Sequence, residues 1–308
     1  MSDTSPVVLV AERLTPASLA WLGVRARVVE AAVGTEIFAD FAPIAQGLVV
    51  RTYTAVNDGL LTTLPALRVV GRAGVGLDNI DLEACASRGV AVVNTPDANT
   101  QAVVEYVTSI LSSAIRPLEF LAQPLGLGEW EALRSRSVAP RQMSEMTLGI
   151  LGLGRIGRRV ADVARAIGFR VLANDITPVT PPAGVESVDC AALFARSDVL
   201  TIHIDGRTSN RGFVAAPLIH AMPRHALFIN TSRGMVLDDA ALAAYLKSSP
   251  HARAYLDVFD PEPFTSACPF LGMPNAFLAP HLASRTRAAI DGMSWVVRTV
   301  AEKLGLPT

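Results

Sequence analysis

Residues 147–175 read TLGILGLGRIGRRVADVARAIGFRVLAND, and this stretch decides the fold. An apolar run comes first, glycines follow at positions 152, 154 and 157, and apolar residues then recur at helical spacing. This order predicts a strand, a GxGxxG turn and a helix, which together bind a dinucleotide. Gly152 permits the tight turn, Gly154 lets the backbone approach a pyrophosphate, and Gly157 lets the helix pack on the strand. The N-terminus of the helix then faces the anion.

A second apolar run, FRVLAN, follows that helix and ends on Asp175. Its distance from Gly152 is close to the roughly 20 residues at which such units place an acid against the adenosine ribose. A carboxylate at this place repels a 2′-phosphate. The sequence therefore predicts NAD rather than NADP as the cofactor.

Short runs rich in Val and Ile alternate with helical patterns along the rest of the chain. They are VVLVA, GLVV, LRVVG and VAVVN before residue 97, and SDVLTIHI, HALFIN, ARAYLDVF and NAFLAP after the unit described above. This alternation is typical of parallel strands joined by crossover helices, so the predicted fold class is α/β. Residues 98–116 keep helical spacing and predict one long helix, whereas residues 117–146 lack a period and predict an irregular arm.

The composition excludes several classes of protein. The 308 residues include 27 basic and 28 acidic side chains without a basic cluster, so no nucleic-acid partner is expected. Cys85, Cys190 and Cys268 are far apart and odd in number, which predicts neither a disulfide framework nor a metal site and favours a reducing cytoplasm. Residues 1–12 lack the features of a signal peptide, and no apolar run is long enough for a membrane span.

Charged residues follow three successive predicted strands of the second half. Arg233 comes after HALFIN, Glu262 after ARAYLDVF and His281 after NAFLAP. Ligands of open α/β sheets bind outside the carboxyl ends of the strands, so these side chains are expected to converge on one crevice. Reduction of a 2-keto acid needs a cation for the carboxylate and carbonyl, for which Arg233 is suited, and a proton donor, for which His281 is suited. Glu262 would stabilise the protonated imidazole and fix the ring.

Two further features leave alternatives open. The run Gly71–Gly76 (GRAGVG) follows a strand without an acid at the dinucleotide spacing, so it predicts either a small anion-binding concavity of backbone amides or an ordinary tight turn. His203 ends a predicted strand and either contacts the cofactor or pairs structurally with Asp205.

Several motifs in order resemble the D-isomer-specific 2-hydroxyacid dehydrogenase family, and within it the D-3-phosphoglycerate dehydrogenase branch. The motifs are GRAGVGLDNID at 71–81, NTP at 94–96 with VVEY at 103–106, GLGRIG at 152–157, NTSRG at 230–234, DVFDPEP at 257–263 and Pro280-His281. They cover most of the chain.

The resemblance implies two Rossmann/flavodoxin-like domains with parallel sheets, in which the cofactor domain is inserted into a split substrate domain. Residues 1–97 and 283–308 would form the substrate-binding domain, and residues 98–282 the NAD-binding domain, with closure of the two excluding water from hydride transfer. The chain would act as a homodimer through residues 98–146. No regulatory domain is expected, because the chain stops at Thr308.

The resemblance also implies roles for individual residues. The catalytic Arg, Glu and His of the family fall on Arg233, Glu262 and His281. Asp257 would contact the nicotinamide amide. The predicted cofactor contacts are Gly152, Gly154, Arg155, Ile156, Gly157, Asp175, His203, Thr231, Ser232, Asp257 and Ala283. The predicted substrate contacts are Arg51, Arg72, Gly74, Val75 and Gly76, of which the arginines would hold a phosphate.

The chain also departs from the family pattern. His203-Ile204-Asp205-Gly206 replaces the usual His followed by Pro-Leu, which changes the wall beside the adenosine, and Leu282-Ala283-Ser284 follows His281 in place of Gly-Ala. The leading hypothesis is NAD-dependent hydride transfer at C2 of a D-2-hydroxy acid, most of all 3-phosphoglycerate/phosphohydroxypyruvate. The alternatives are a hydroxypyruvate/glyoxylate reductase and, from another class, an NAD(H)-sensing corepressor-like scaffold.

Overall fold

A computed structural model describes residues 5–177 and 179–307. The chain forms two compact units, here called unit 1 (Met1–Ala102 with Ser284–Thr308) and unit 2 (Val103–Ala283). Unit 1 is therefore built from both ends of the chain and unit 2 from one continuous segment. The limits lie within a few residues of the predicted positions 97 and 283. No helix among the described residues combines the length and apolar character that a membrane span needs.

The secondary structure alternates between strands and helices. The strands are β1 (Val7–Val10), β2 (Arg27–Glu30), β3 (Ala45–Val50), β4 (Val69–Arg72), β5 (Ala91–Asn94), β6 (Thr147–Leu151), β7 (Arg170–Asn174), β8 (Val185–Ser187), β9 (Val199–Ile202), β10 (Leu227–Asn230), β11 (Arg253–Leu256) and β12 (Ala276–Leu278). The α-helices are α1 (Pro16–Gly23), α2 (Glu36–Phe41), α3 (Asp58–Thr62), α4 (Leu82–Ser87), α5 (Thr100–Ile115), α6 (Leu127–Arg136), α7 (Arg155–Ala166), α8 (Cys190–Arg196), α9 (Ala216–Ala221), α10 (Asp239–Ser248), α11 (Arg287–Ser294) and α12 (Val296–Lys303).

Unit 1 contains a parallel sheet whose described strands run in the order β2-β1-β3-β4-β5. Helix α12 packs on one face of this sheet, where Val296 and Val300 are fully buried. Gly71 in β4 explains how closely the helix approaches, because a Cβ there would lie 2.4 Å from a methyl carbon of Val300. The other face of the sheet is covered by α2, α3 and α4, and Phe38, Leu61 and Cys85 belong to its core.

Unit 2 contains a second parallel sheet, in the order β12-β11-β10-β9-β6-β7-β8 for the described strands. The connection order reverses at β6, which lies between β7 and β9. This is the topological switch point at which open α/β sheets bind ligands, outside the carboxyl ends of the strands. The predicted α/β class is confirmed, and the predicted strand-turn-helix unit begins at this switch point.

Four elements differ from the sequence-based expectation. The segment 117–146, predicted to be irregular, contains α6 and a 3-10 turn at Met143–Glu145. Helix α6 has no buried residue, so its sequence lacks the apolar period by which a packed helix is detected. Strands β2 and β8 were not predicted. Both lie at a sheet edge, and their partly exposed sequences, RVVE and VES, lack an apolar run.

We predict that Gly234→Ala destabilises unit 2. A Cβ at Gly234 would lie 1.9 Å from the carbonyl carbon of Phe259 and 2.3 Å from its oxygen, so backbone must move. Overpacking of this kind costs about 1–3 kcal/mol or more. Thermal and urea denaturation measure the loss. Gly23→Ala is the matched control, because nothing lies within 4 Å of its added Cβ; equal stability of the two variants would contradict the close contact.

Candidate active site

The three glycines of the 152–157 turn are each required for a different reason. Gly152 has φ +96°, and its Cβ would lie 2.7 Å from the carbonyl carbon of His203 at the end of the neighbouring strand. A Cβ on Gly157 would lie 2.0 Å from the carbonyl oxygen of Gly152. Gly154 instead has nothing within 4 Å, so the space above it is open to a ligand. This arrangement of two packing glycines and one open glycine is the cradle that a pyrophosphate fits.

Helix α7 begins directly after this turn. Gly154 is its N-cap, in an extended conformation and without a side-chain acceptor for the amides of the first turn. The first residues of α7 include Arg155, Ile156 and Gly157, which were predicted to contact the cofactor. The partial positive charge of the helix N-terminus therefore points at the open space above Gly154, where it favours an anion.

Asp175 follows β7 and reaches back to the glycine turn. Its Oδ2 accepts the Leu153 N–H at 2.7 Å, and its Oδ1 accepts the Thr177 N–H at 2.9 Å. The two bonds fix the carboxylate beside the turn. Its position fits the ribose-binding acid that the sequence predicts.

His203 is uncharged at neutral pH. Burial lowers the pKa of His203 to about 4, and its Nε2 lies 3.0 Å from the Thr201 hydroxyl. The structural pairing of His203 with Asp205 is wrong, because the Asp205 carboxylate binds Arg207 and Asn210 instead.

Glu262 and His281 meet in unit 2. The Glu262 Oε2 lies 2.8 Å from the His281 Nδ1, and Oε1 accepts the Phe259 N–H at 3.0 Å. Burial by itself would raise the pKa of Glu262. The hydrogen bond and charge of His281, the Phe259 amide and the charge of Arg233 outweigh burial, so the pKa of Glu262 is lowered. Glu262 is therefore an ionised acceptor that fixes the histidine ring.

Arg233 is placed by the buried side chain of Asn230. Asn230 donates from Nδ2 to the Arg233 carbonyl at 3.0 Å, and its Oδ1 accepts from the backbone and hydroxyl of Ser232 at 3.0 and 2.8 Å. The Arg233 Nη1 donates to the Ser232 carbonyl at 2.7 Å. Thr231 and Ser232, predicted to contact the cofactor, are mostly buried here. The charge of Arg233 helps to lower the pKa of Glu262, so the structure brings the three predicted groups within electrostatic range.

Asp257 holds the loop that carries His281. Its carbonyl accepts the His281 N–H at 2.8 Å, and its carboxylate accepts the Leu282 and Ala283 N–H groups at 2.7 and 2.8 Å. His281 has φ +56°, a left-handed conformation that is costly for a side chain with a Cβ. Asp257 is 2% exposed, and burial raises the pKa of its carboxyl group. The three hydrogen bonds therefore fix the strained loop on which the histidine is presented.

Sequence reasoning missed two residues of this site. Asn230 is the last residue of β10, and its side chain holds the Arg233 loop. The sequence signal for this role was an Asn at a strand end directly before Thr-Ser-Arg. Tyr106 in α5 hydrogen-bonds with Asp257, and burial followed by the charge of that carboxylate raises the pKa of Tyr106. No local pattern links Tyr106 to Asp257, because the contact joins distant parts of the chain.

The predicted substrate contacts Arg51, Arg72 and Gly74 all lie in unit 1. Arg72 is buried, and its guanidinium crosses Gly74 so closely that a Cβ there would lie 1.3 Å from Nη1. The Gly74 N–H donates to the Arg72 carbonyl at 2.8 Å within the loop. The predicted anion-binding concavity would need this amide to point at the ligand instead. The Val75 carbonyl is held by Asn94 at 2.6 Å.

Arg51 follows β3, one strand away from Arg72. Its backbone N–H donates to the Glu12 carboxylate at 2.9 Å, and this bond does not use the guanidinium. Burial lowers the pKa of Arg51, and the neighbouring charge of Arg285 lowers it further. Two cations thus approach each other at this end of the unit 1 sheet.

Comparisons with known proteins agree with this geometry. The family model described as D-isomer specific 2-hydroxyacid dehydrogenase, NAD binding domain, matches residues 108–283. The chain is 34% identical to the D-3-phosphoglycerate dehydrogenase of Mycobacterium tuberculosis (strain H37Rv), over 93% of this chain and 54% of that protein. It is also 34% identical to the (S)-sulfolactate dehydrogenase of Chromohalobacter salexigens, over 85% of each. The chain spans about half the length of the curated phosphoglycerate dehydrogenases that it matches.

Solved structures show the same architecture. A 2-hydroxyacid dehydrogenase from Ketogulonicigenium vulgare superposes with a TM-score of 0.82 at 27% identity, over 99% of this chain and 97% of that one. An NADPH-dependent glyoxylate/hydroxypyruvate reductase from Sinorhizobium meliloti, solved with NADP and malonate, has a TM-score of 0.79 at 28% identity, over 96% and 92%. The predictions of the family and of NAD as cofactor are confirmed. The chain belongs to the D-isomer specific 2-hydroxyacid dehydrogenase family, and residues 108–283 match its NAD-binding domain.

Proposed function

We propose that this chain is an NAD-dependent oxidoreductase that transfers a hydride between nicotinamide and C2 of a D-2-hydroxy acid or its 2-keto acid. The observation that carries the proposal is the Glu262–His281 pair at 2.8 Å, within electrostatic range of Arg233 in the unit that contains the dinucleotide turn. We further propose that unit 2 is the NAD-binding domain and unit 1 the substrate-binding domain.

Arg233, His281 and Glu262 each have a separate role in the proposed reaction. Bound NADH supplies the hydride. Arg233 binds the carboxylate of the keto acid and polarises its carbonyl, because a guanidinium stabilises the negative charge that develops on oxygen. His281 donates a proton to that oxygen from Nε2, since Nδ1 is engaged with Glu262. Glu262 binds Nδ1 and so orients the ring for proton donation from the other nitrogen.

The position of the Asp175 carboxylate supports a preference for NAD over NADP. Its carboxylate is fixed beside the pyrophosphate cradle by the Leu153 amide. A fixed negative charge at this place attracts ribose hydroxyls and repels a 2′-phosphate. The S. meliloti relative, solved with NADP, shows that the family accommodates both cofactors.

We propose 3-phosphoglycerate/phosphohydroxypyruvate as the substrate pair, with hydroxypyruvate/glyoxylate reduction as the alternative. The approach of Arg51 to Arg285 supports a substrate with a second anionic group, because two like charges are stabilised by an anion between them. Relatives named for phosphoglycerate and sulfolactate, which each carry a second anion, match the chain at 34% identity.

We also propose that the chain forms a homodimer through residues 98–146. Large apolar side chains are exposed along this arm, among them Leu118, Phe120, Leu127 and Trp130. Such a patch is typical of a surface that is covered in the assembled protein. The three free cysteines support the cytoplasm as the compartment.

His281→Ala should abolish turnover and retain NADH binding. Removing the proton donor costs about 100-fold or more in rate, whereas the cofactor cradle stays intact. Stopped-flow NADH oxidation and NADH fluorescence titration measure the two quantities. His225→Ala is the control, because His225 pairs with Asp198 elsewhere in the unit. Near-normal turnover of His281→Ala would refute the role of this histidine.

Glu262→Gln should change how stability depends on pH. The lowered pKa of Glu262 means that its ionised form stabilises the fold above the unfolded pKa of about 4.3 and that this stabilisation is lost as pH falls through the lower folded value. The free energy of unfolding of wild type should therefore fall relative to the variant as pH drops below about 5. Urea denaturation from pH 7 to pH 3.5 measures this difference. A difference independent of pH would show that Glu262 does not titrate in this way.

A panel of keto acids with NADH distinguishes the two substrate proposals. We expect a higher kcat/KM for phosphohydroxypyruvate than for hydroxypyruvate or glyoxylate. Arg51→Ala should reduce that advantage by about tenfold, since a charge-assisted hydrogen bond to the phosphate is lost. Arg68→Ala, at the amino end of β4, is the control. Equal rates on all three acids, unaffected by Arg51→Ala, would favour the unphosphorylated substrate.

A further inference from the structure

The loop after β9 lies against the dinucleotide turn in unit 2. Gly152 touches the backbone of His203, as its Cβ would lie 2.7 Å from the carbonyl carbon, and the following residue, Leu153, donates its amide to Asp175 at 2.7 Å. Two consecutive residues of the turn thus contact the β9 loop on one side and the ribose acid on the other. The loop that begins at His203 therefore lies beside the glycine turn that also contacts Asp175.

Asp205 and Arg207 form an ion pair in this loop. The Arg207 Nε donates to Asp205 Oδ1 at 2.7 Å, and Nη2 donates to Oδ2 at 2.5 Å, so both carboxylate oxygens are used. Asn210 donates from Nδ2 to Asp205 Oδ1 and to its carbonyl, each at 3.0 Å. A buried amide thus fixes the acid, and the acid fixes the guanidinium.

A second carboxylate acts on the same guanidinium. The hydrogen bonds that Arg207 donates to Asp205 raise the pKa of Arg207, and the charge of Asp175 raises it further. Arg207 therefore lies within electrostatic range of the ribose acid. The pair is accessible to solvent, with Arg207 and Asp205 side chains 55% and 52% exposed, so a charged ligand group can compete for the guanidinium.

We propose that Asp205 is a cofactor-specificity residue, which neutralises the Arg207 guanidinium beside Asp175 and so keeps this cation from binding the 2′-phosphate of NADP. The proposal rests on the dinucleotide site of the proposed function. Asp175 repels the phosphate directly, and Asp205 acts through Arg207. The sequence HIDGR at 203–207 thus adds a second contribution to the preference for NAD.

The Asp205 carboxylate and a 2′-phosphate would compete for the same guanidinium. A guanidinium binds a phosphate or a carboxylate in the same two-pronged way, so the Arg207 fork that faces Asp205 is the fork that a 2′-phosphate would use. Replacing Asp205 by Asn removes the charge and retains a similar shape. Arg207 then retains only the charge interaction with Asp175, and its guanidinium fork is available to a phosphate.

The test uses the full chain as wild type, Asp205→Asn, Arg207→Gln and the double variant. Calorimetry measures the Kd of adenosine 2′,5′-bisphosphate and of 5′-AMP for each, and kinetics gives kcat/KM with NADPH and with NADH. Asp205→Asn should improve the binding ratio for the 2′-phosphorylated probe by about two- to fivefold, the range that exposed pairs support. The gain should disappear in the double variant and shrink as salt is raised.

Asp58→Asn is the matched control, since it removes an exposed acid from an Arg pair in unit 1. It should leave the binding ratio unchanged. A binding ratio that Asp205→Asn does not raise would overturn the proposal, as would a gain that persists in the double variant. Reduced binding of the bisphosphate by Arg207→Gln alone would also overturn it, because Arg207 would then already bind the phosphate in wild type. Failure of the proposed function is a separate result: the chain would bind neither nucleotide or would not oxidise NADH with any keto acid.

Discussion

Contact of backbone with backbone at the carboxyl edge of the unit 2 sheet is the constraint on which the site depends. Gly152 against His203, Gly157 against Gly152 and Gly234 against Phe259 each leave no room for a Cβ. Any side chain at these positions would separate neighbouring strand ends, and the functional groups that follow those strands would separate with them. Close packing of the main chain thus sets the distances among the cofactor cradle and the reacting groups.

Two acids of the site, Glu262 and Asp257, both accept hydrogen bonds but have different roles. Glu262 is stabilised as an anion by His281 and by the charge of Arg233, and its pKa is lowered. Asp257 is more deeply buried, its pKa is raised, and its oxygens accept the amides of Leu282 and Ala283. Glu262 fixes the orientation of the imidazole, and Asp257 fixes the backbone that presents it. Both acids therefore hold His281 in place, Glu262 through the ring and Asp257 through the backbone.

The features that could be predicted from the sequence are those that leave a local signal, either a motif with fixed spacing or a position at the end of a strand. The GxGxxG turn, Asp175 and the strand-end positions of Arg233, Glu262 and His281 follow from spacing and from the geometry of parallel sheets. Tyr106 reaches Asp257 from a distant part of the chain, so no local pattern reveals that contact. Asn230 and the Asp205–Arg207 pair make contacts within single loops, where hydrophobic periodicity carries no information about side-chain partners. Helix α6 escaped prediction because exposure removes the apolar period, and β2 and β8 because edge strands need no continuous apolar run.

The discontinuous composition of unit 1 has a consequence for synthesis on the ribosome. The strands of the unit 1 sheet have all been made by residue 102, but α12, which covers one face of that sheet, is made only after unit 2. At about 5–20 residues per second, the face that Val296 and Val300 will cover waits for roughly 10–40 s, while unit 2 is still being translated. During that interval α12 does not yet cover the face that contains valines of β1, β3 and β4. Unit 2, being continuous, needs no such delay.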